Sequence, residues 1–270
     1  MRIDAHQHFW RLDRGDYRWL TPDLEAIHRD FLPEDLEPLL AECGIDRTVL
    51  VQAADTDAET DFLLSIAAET PFVAGVVGWV DLASRSAPGR IELLAGDPAF
   101  VGVRPMLQDL PDPSWILRAE LAPALEALAD LDLAFDALVR PVHLPALREL
   151  LHRHTRLRVV IDHAAKPVAA GFAAWRTHME AIARDSSACC KLSGLSTDDL
   201  RPHLDVLLES FGPGRILWGS DWPVVVLAGG YGAWWRATSA LLEDLAEDDR
   251  VAILGRNAAR FYRIAERDVA

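Results

Sequence analysis

Residues 33–53 read PEDLEPLLAECGIDRTVLVQA. The first half, Pro33–Cys43, places Leu36, Leu39 and Leu40 at the three- and four-residue spacing of an amphipathic helix. Gly44 follows at once, where a helix stops in a left-handed turn. The second half, Thr48–Ala53, is an almost wholly apolar run, which suits a strand covered on both faces. A helix feeding straight into a buried strand is the unit of a parallel α/β protein.

The unit recurs in both directions. Strand-like runs occur at Arg2–Ala5, Phe72–Val80, Val101–Arg104, Ala134–Val139, Arg158–Asp162, Cys190–Leu192 and Ile216–Trp218. Between them lie helix-like segments at Glu59–Glu69, Leu121–Leu131, Leu144–Thr155, Gly171–Arg184 and Leu200–Phe211, the last with Leu204, Leu207 and Leu208 on one face. Asp57-Ala58-Glu59-Thr60 and Ser196-Thr197-Asp198-Asp199 carry helix-entry residues. Eight strands alternating with helices over 270 residues predict a (β/α)₈ TIM barrel in one domain, residues 1–270, with a doubly wound open sheet as the competing arrangement. Trp10–Pro33, with Trp10, Tyr17, Trp19 and Phe31, reads as an extended first βα loop. Gly229–Trp235 reads as a second such loop, after strand eight.

Composition narrows the partners. The chain carries 42 acids against 27 bases, a formal charge of −15, which argues against nucleic acid and anionic membranes. An anionic substrate stays open, because a site can be locally positive. Three cysteines give no disulfide framework. Met1-Arg2-Ile3-Asp4 turns polar at once, so no signal peptide is expected. No apolar run approaches 18 residues, so no membrane span is expected either, and the expected location is the cytoplasm. Oligomeric state is not readable.

Barrel chemistry sits where strands end. Those ends are His6-Gln7-His8, Gln52 with Asp55, Trp79 with Asp81, Arg104, Arg140, Asp162-His163 with Lys166, Lys191 with Ser193, and Ser220-Asp221. His6 and His8, two apart on a strand, point to one side and can converge on a metal or a substrate oxygen; the bland alternative is two polar residues beside a turn. Asp221, between Trp218 and Trp222, is partly desolvated in this reading, which raises its proton affinity, while nearby cations oppose that; the balance suits a general base. Its bland alternative is a cap. Arg104 suits a fork on a carboxylate or carbonyl oxygen, or else a salt bridge. His163 is otherwise a satisfied strand-end histidine, and Lys166 and Arg140 otherwise solvated loop charges. Trp10, Trp19, Trp79, Trp218 and Trp222 form an aromatic series. It reads as core or pocket wall, with pocket wall favoured for Trp218 and Trp222. His28 and His143 are the histidines outside strand ends with the best claim to a site. Gly-rich phosphate loops, Gly-x-Ser-x-Gly elbows and dinucleotide fingerprints do not occur.

Taken together, Ile3–Trp10, Trp19-Leu20, Val101–Arg104, Ile161–Pro167, Lys191–Leu195 and Leu217–Pro223 resemble the amidohydrolase superfamily, in particular its branch of sugar-acid lactonases. The likeness runs from residue 3 to the Asn257-Ala258 region. It implies a (β/α)₈ barrel that opens a lactone such as L-fuconolactone or L-rhamnonolactone to its hydroxy acid. It implies His6 and His8 as first-strand metal ligands, His163 as the sixth-strand histidine and Asp221 as the catalytic aspartate. With the strand-end reading, the expected catalytic residues are Asp221, His163 and Arg104, and the expected ligands of a possible mononuclear metal site are His6, His8 and Asp221. Trp10, His28, Arg140, Lys166 and Trp222 are the expected substrate contacts. Strand five, Phe135–Arg140, departs from the two-metal pattern, because it ends without a bridging lysine or histidine. One zinc ion or none both remain open, since nearby branches polarise the carbonyl with arginine and histidine alone. An aromatic-acid decarboxylase on the same scaffold and a silent sugar- or acid-binding protein are the rival functions.

Overall fold

The structure, a computed structural model, describes residues 1–198 and 200–265. Its eight strands are β1 (Ile3–Gln7), β2 (Arg47–Val51), β3 (Val73–Gly78), β4 (Phe100–Val103), β5 (Ala134–Ala137), β6 (Arg158–Ile161), β7 (Cys189–Leu192) and β8 (Ile216–Trp218). They pair in sequence order and each pairing is parallel. The sheet closes at its seam, but through residues just beyond β8. The Asp221 N–H donates to the His6 carbonyl at 2.8 Å, and the His8 N–H to the Trp222 carbonyl at 2.7 Å. A nearly closed (β/α)₈ barrel results, and the open-sheet alternative is set aside.

The eight principal helices are α1 (Pro33–Cys43), α2 (Asp57–Glu69), α3 (Ala87–Leu94), α4 (Ala122–Asp130), α5 (Leu144–Arg153), α6 (Phe172–Asp185), α7 (Leu200–Phe211) and α8 (Tyr231–Leu242). Gly44 ends α1 with φ +64°, as its position required. The cap of α2 is Thr56, one residue before the entry signal. Of the second entry signal, Asp199 lies outside the described residues, as do residues 266–270. Two of these eight helices escaped the sequence pattern. The short α3 opens on Ala87-Pro88-Gly89, where breakers mask the period. The expected loop at Gly229–Trp235 is corrected: Gly229 and Gly230 take positive φ, and Tyr231 then starts α8.

The first loop leaves and returns through an antiparallel bridge between Trp10 and Phe31, with backbone bonds of 3.0 Å each way. Phe31 stacks edge-on against Trp10 at 5.5 Å and Trp222 at 5.2 Å, so buried aromatics rivet the loop to the seam. Each such contact contributes roughly 0.5–1.5 kcal/mol beyond its buried area.

Inside the barrel, period-two alternation puts Ala134 with Asp136, Val160 with Asp162, and Cys189 with Lys191 on one side. The first member of each pair packs with Ile3, Leu217 and Phe261 into an apolar floor. Phe261 and Tyr262 come from α10 (Asn257–Tyr262), which follows a short helix (α9, Glu247–Val251) and a π turn. Asn257 fixes it by donating to the carbonyls of Pro213 and Ile216 at 2.7 and 2.8 Å. The second members form the polar layer beneath the site. Among the described residues no helix is long and apolar enough to cross a membrane.

Candidate active site

Four residues meet at the mouth of the barrel. His6 and His8 come from the end of β1, His163 follows β6, and Asp221 follows β8. His6 Nε2 lies 3.2 Å from His8 Nε2. Asp221 Oδ1 is 3.3 Å from His8 Nε2, 3.7 Å from His6 Nε2 and 3.8 Å from His163 Nε2. The backbone builds this at some expense. Asp221 has φ +59°, and His163, Ala164, Ala165 and Lys166 form a left-handed turn with φ between +49° and +59°. Each non-glycine residue there costs roughly 1–2 kcal/mol. The buried Trp175 indole offsets part of it by donating to the Ala164 carbonyl at 2.7 Å. Glycines make room. A Cβ on Gly194 would sit 2.6 Å from His163 Nδ1, and one on Gly219 would sit 2.8 Å from the His6 Cβ.

Beneath these groups is a buried cluster of charges. The Lys191 ammonium, fully buried, is 2.5 Å from Asp136 Oδ2, 3.0 Å from Asp162 Oδ1 and 3.0 Å from His6 Nδ1. Tyr262 donates up from the floor to Asp136 Oδ2 at 2.7 Å. Arg104 Nη1 reaches Asp162 Oδ2 at 3.4 Å and stands 3.3 Å from His6 Nε2. Its Nη2 donates to the Gln52 carbonyl, and the Gln52 amide returns a bond to the Arg104 carbonyl at 2.6 Å. This clamp leaves the guanidinium no freedom to leave the site.

Burial pushes the Asp136 carboxyl up to about 6, with Asp162 adding repulsion and Lys191 opposing both. Burial acts on Asp162 as well, but Lys191, His6 and Arg104 outweigh it and hold that carboxyl well below its usual range. Asp221 behaves alike: burial would raise it, and the surrounding imidazoles of His163, His8 and His6 hold it low. Of the two opposing influences expected at Asp221, desolvation and neighbouring positive groups, the three-imidazole surround prevails. Burial also lowers His6 and His8, and takes His163 down to about 4, so all three rings are neutral at pH 7.

A cavity of about 200 Å³ opens above, lined by His8, Arg104, His163, Lys166 and Asp221 on its polar side. Trp19, Ala53, Met106, Leu138 and Val224 are among the rest of the wall. Lys166 donates to Gln108 Oε1 at 2.7 Å, both on the wall. Four of the expected substrate contacts are not on it. Trp10 is buried and donates to the Arg29 carbonyl at 2.7 Å, because its indole serves the loop bridge. Trp222 is buried between Phe9 and Phe31 at the seam. His28 lies partly buried in the first loop, and Arg140 is exposed. Trp218 is no pocket wall either: its indole donates to Thr238 Oγ1 of α8 at 2.9 Å, outside the barrel. Asp136 was missed by sequence reasoning. Its signal was a carboxylate inside an apolar strand, matched by a lysine inside another.

His6, His163 and Asp221 each offer one ligand atom within 4.8 Å of the others, a donor set of the kind that holds one divalent ion. His8 fits beside them. Its Nδ1 is 2.7 Å from the Val51 carbonyl, which assigns the proton to Nδ1 and leaves the Nε2 lone pair facing Asp221. Two acceptors 3.3 Å apart call for a proton or a cation between them. Asp162 and Lys191 behind His6 Nδ1 supply the outer partners such a ligand needs.

The amidohydrolase family profile matches residues 3–264. The chain belongs to the amidohydrolase family. This amidohydrolase is 50% identical to an L-fucono-1,5-lactonase of Burkholderia ambifaria, over 97% of its own length and 96% of the relative. It is 36% identical to an L-fucono-1,5-lactonase of Burkholderia multivorans, over 98% and 97%. A crystal structure of a Burkholderia multivorans amidohydrolase with bound zinc superposes with a TM-score of 0.93 at 33% identity, covering 98% of this chain and all of that one.

Proposed function

We propose that the protein is a lactonase, an ester-bond hydrolase that opens a sugar-acid lactone to its hydroxy acid, with L-fucono-1,5-lactone the first substrate to try. The observation that carries the reading is one small cavity that holds a carboxylate, Asp221, together with Arg104, His163 and Lys166. A volume of about 200 Å³ suits a single sugar ring. Half the residues are shared with a named L-fucono-1,5-lactonase along nearly the whole chain, which favours the same bond class.

Lactone opening needs an electrophile at the carbonyl, a base for water and an acid for the departing ring oxygen. Arg104, immobilised by Gln52 and Asp162, and His163, held through Nδ1 at 2.9 Å from Ser193 Oγ, face the carbonyl. A fixed donor at a developing oxyanion contributes on the order of 3 kcal/mol. Asp221 accepts the proton of the attacking water on Oδ1 and returns it to the ring oxygen. Lys166 with Gln108 binds hydroxyls, and the Trp19 indole packs against the ring. His6, His8 and Asp221, with His163 unprotonated at Nε2 and so released from its donor role, would hold a divalent ion such as zinc, whose chemistry there is Lewis-acid polarisation of an oxygen.

A pH-indicator assay on a panel of sugar 1,4- and 1,5-lactones tests the reading. Acid release well above the spontaneous rate is expected for 1,5-lactones. A flat panel overturns it. A decarboxylase would release CO₂ from an aromatic acid instead, and a silent binder would give no turnover.

A further inference from the structure

Glu59 is a fully buried carboxylate that no catalytic step uses. It lies in the first turn of α2, where the Thr56 hydroxyl accepts its backbone N–H at 3.1 Å. A glutamate at this position often folds back onto the cap residue. Here it turns toward the barrel mouth. Its Oε1 accepts the Ala53 N–H at 3.0 Å, and its Oε2 accepts the Tyr17 hydroxyl at 2.7 Å. Arg14 stands 3.6 Å from Oε2 and is paired with Asp16 at 2.5 Å. A buried carboxylate is held only where such partners compensate for lost water. Two of the three come from the first loop, and the third from the end of β2.

Ala53 is engaged on both sides. Glu59 takes its N–H, and its carbonyl accepts the Trp19 indole N–H at 2.8 Å. Trp19 and Ala53 both line the cavity. Tyr17 lies two residues before Trp19 in the same loop. One carboxylate therefore fixes the backbone group that holds the indole and the loop segment that carries it. We infer that Glu59 is a positioning residue: it keeps Trp19 in the cavity wall through Ala53 and Tyr17, and so governs substrate affinity without touching substrate. The kinetic half of this inference rests on the lactonase reading; the structural half does not.

The test uses Glu59→Gln and Tyr17→Phe in the full chain, with Trp19→Phe to assign the Trp19 indole in ¹⁵N-labelled protein. In both variants the Trp19 indole N–H resonance should shift and exchange with solvent about five- to tenfold faster, while the other indoles stay put. KM for the lactone should rise about five- to tenfold with kcat within twofold. A purely structural role predicts a lower Tm with that resonance and KM unchanged. An unmoved resonance, a moved resonance with unchanged KM, or a parallel fall in kcat overturns the inference. If the wild type opens no lactone, the lactonase reading falls and the indole resonance alone decides the positioning. If Glu59→Gln does not fold, Tyr17→Phe decides.

Discussion

His8 Nε2 and Asp221 Oδ1 face each other across 3.3 Å, although the His8 proton is committed to Nδ1 by the Val51 carbonyl. The two residues stand 213 positions apart in the chain and also flank the hydrogen bonds that close the barrel. Seam and site are therefore one construction. Whatever occupies the gap, a proton or a cation, is felt directly by the closure of the sheet.

Asp221→Asn separates the two roles. Asparagine tolerates the left-handed φ of +59° and keeps the backbone bond to His6. Its amide can donate to His8 Nε2, so Tm should move by no more than about 4 °C. Without the carboxylate, kcat should fall by about 10³-fold. Lactone turnover at the wild-type rate would remove Asp221 from the mechanism.

Zinc added to metal-stripped protein should raise Tm in a concentration-dependent way, because an ion that binds the folded chain stabilises it by mass action. His6→Ala should abolish the rise, since His6 supplies one of the clustered donor atoms. Thermal melts across a zinc titration, with metal analysis after dialysis, read this. A wild type that takes up no zinc and shows no shift refutes the ligand set.

The buried Lys191 ties strands five, six and seven together through Asp136 and Asp162. Lys191→Met strands two carboxylates in the interior. Unfolding in urea should show a loss of about 3–5 kcal/mol. Adding Asp136→Asn to it removes one of those charges and should recover part of the loss. A single variant as stable as wild type would mean that the cluster is not ionised.

How much of this could be read from residues alone follows physical lines. Strand positions came within two residues, because buried parallel strands leave an unbroken apolar run. His6, His8, Arg104, His163 and Asp221 were found because strand ends are where a barrel exposes polar groups. Trp10 and Trp222 were misplaced, because an aromatic beside a site looks the same in sequence whether it lines the cavity or rivets a loop behind it. Which way the Asp221 balance falls was hidden for a related reason: the imidazoles that hold the carboxyl low come from the ends of β1 and β6, and sequence neighbours do not reveal them. Glu59 carried only a helix-entry signal.

Gly194→Ala probes the left-handed turn. The added methyl would sit 2.6 Å from His163 Nδ1, at a backbone φ of +58° that disfavours any side chain. His163 must move, and its contact with Ser193 Oγ is lost. A stability loss of about 1–2 kcal/mol is expected from the backbone. A fall in kcat/KM of tenfold or more should accompany it, about the worth of one well-placed donor group or less. Ser193→Ala should lower kcat/KM without the backbone penalty. Normal kinetics in Gly194→Ala would show that His163 need not hold its place.

The last expectation concerns pH. Burial raises the Glu59 carboxyl from 4.5 to about 7, against the bonds from Ala53 and Tyr17 that favour the ionised form. Between those values the folded chain holds a proton at Glu59 that the unfolded chain has released. Stability must then fall as pH rises through this window, by roughly 3 kcal/mol in all, and stay lower above it. Glu59→Gln, neutral throughout, lacks this dependence. The Tm difference between Glu59→Gln and wild type should therefore become more positive on going from pH 5 to pH 8. Using the difference cancels the opposing pH dependence of the buried histidines, which are unchanged in the variant. Melts at five or six pH values measure it, and a difference that is flat or slopes the other way would mean that Glu59 is already ionised in the folded chain at pH 5.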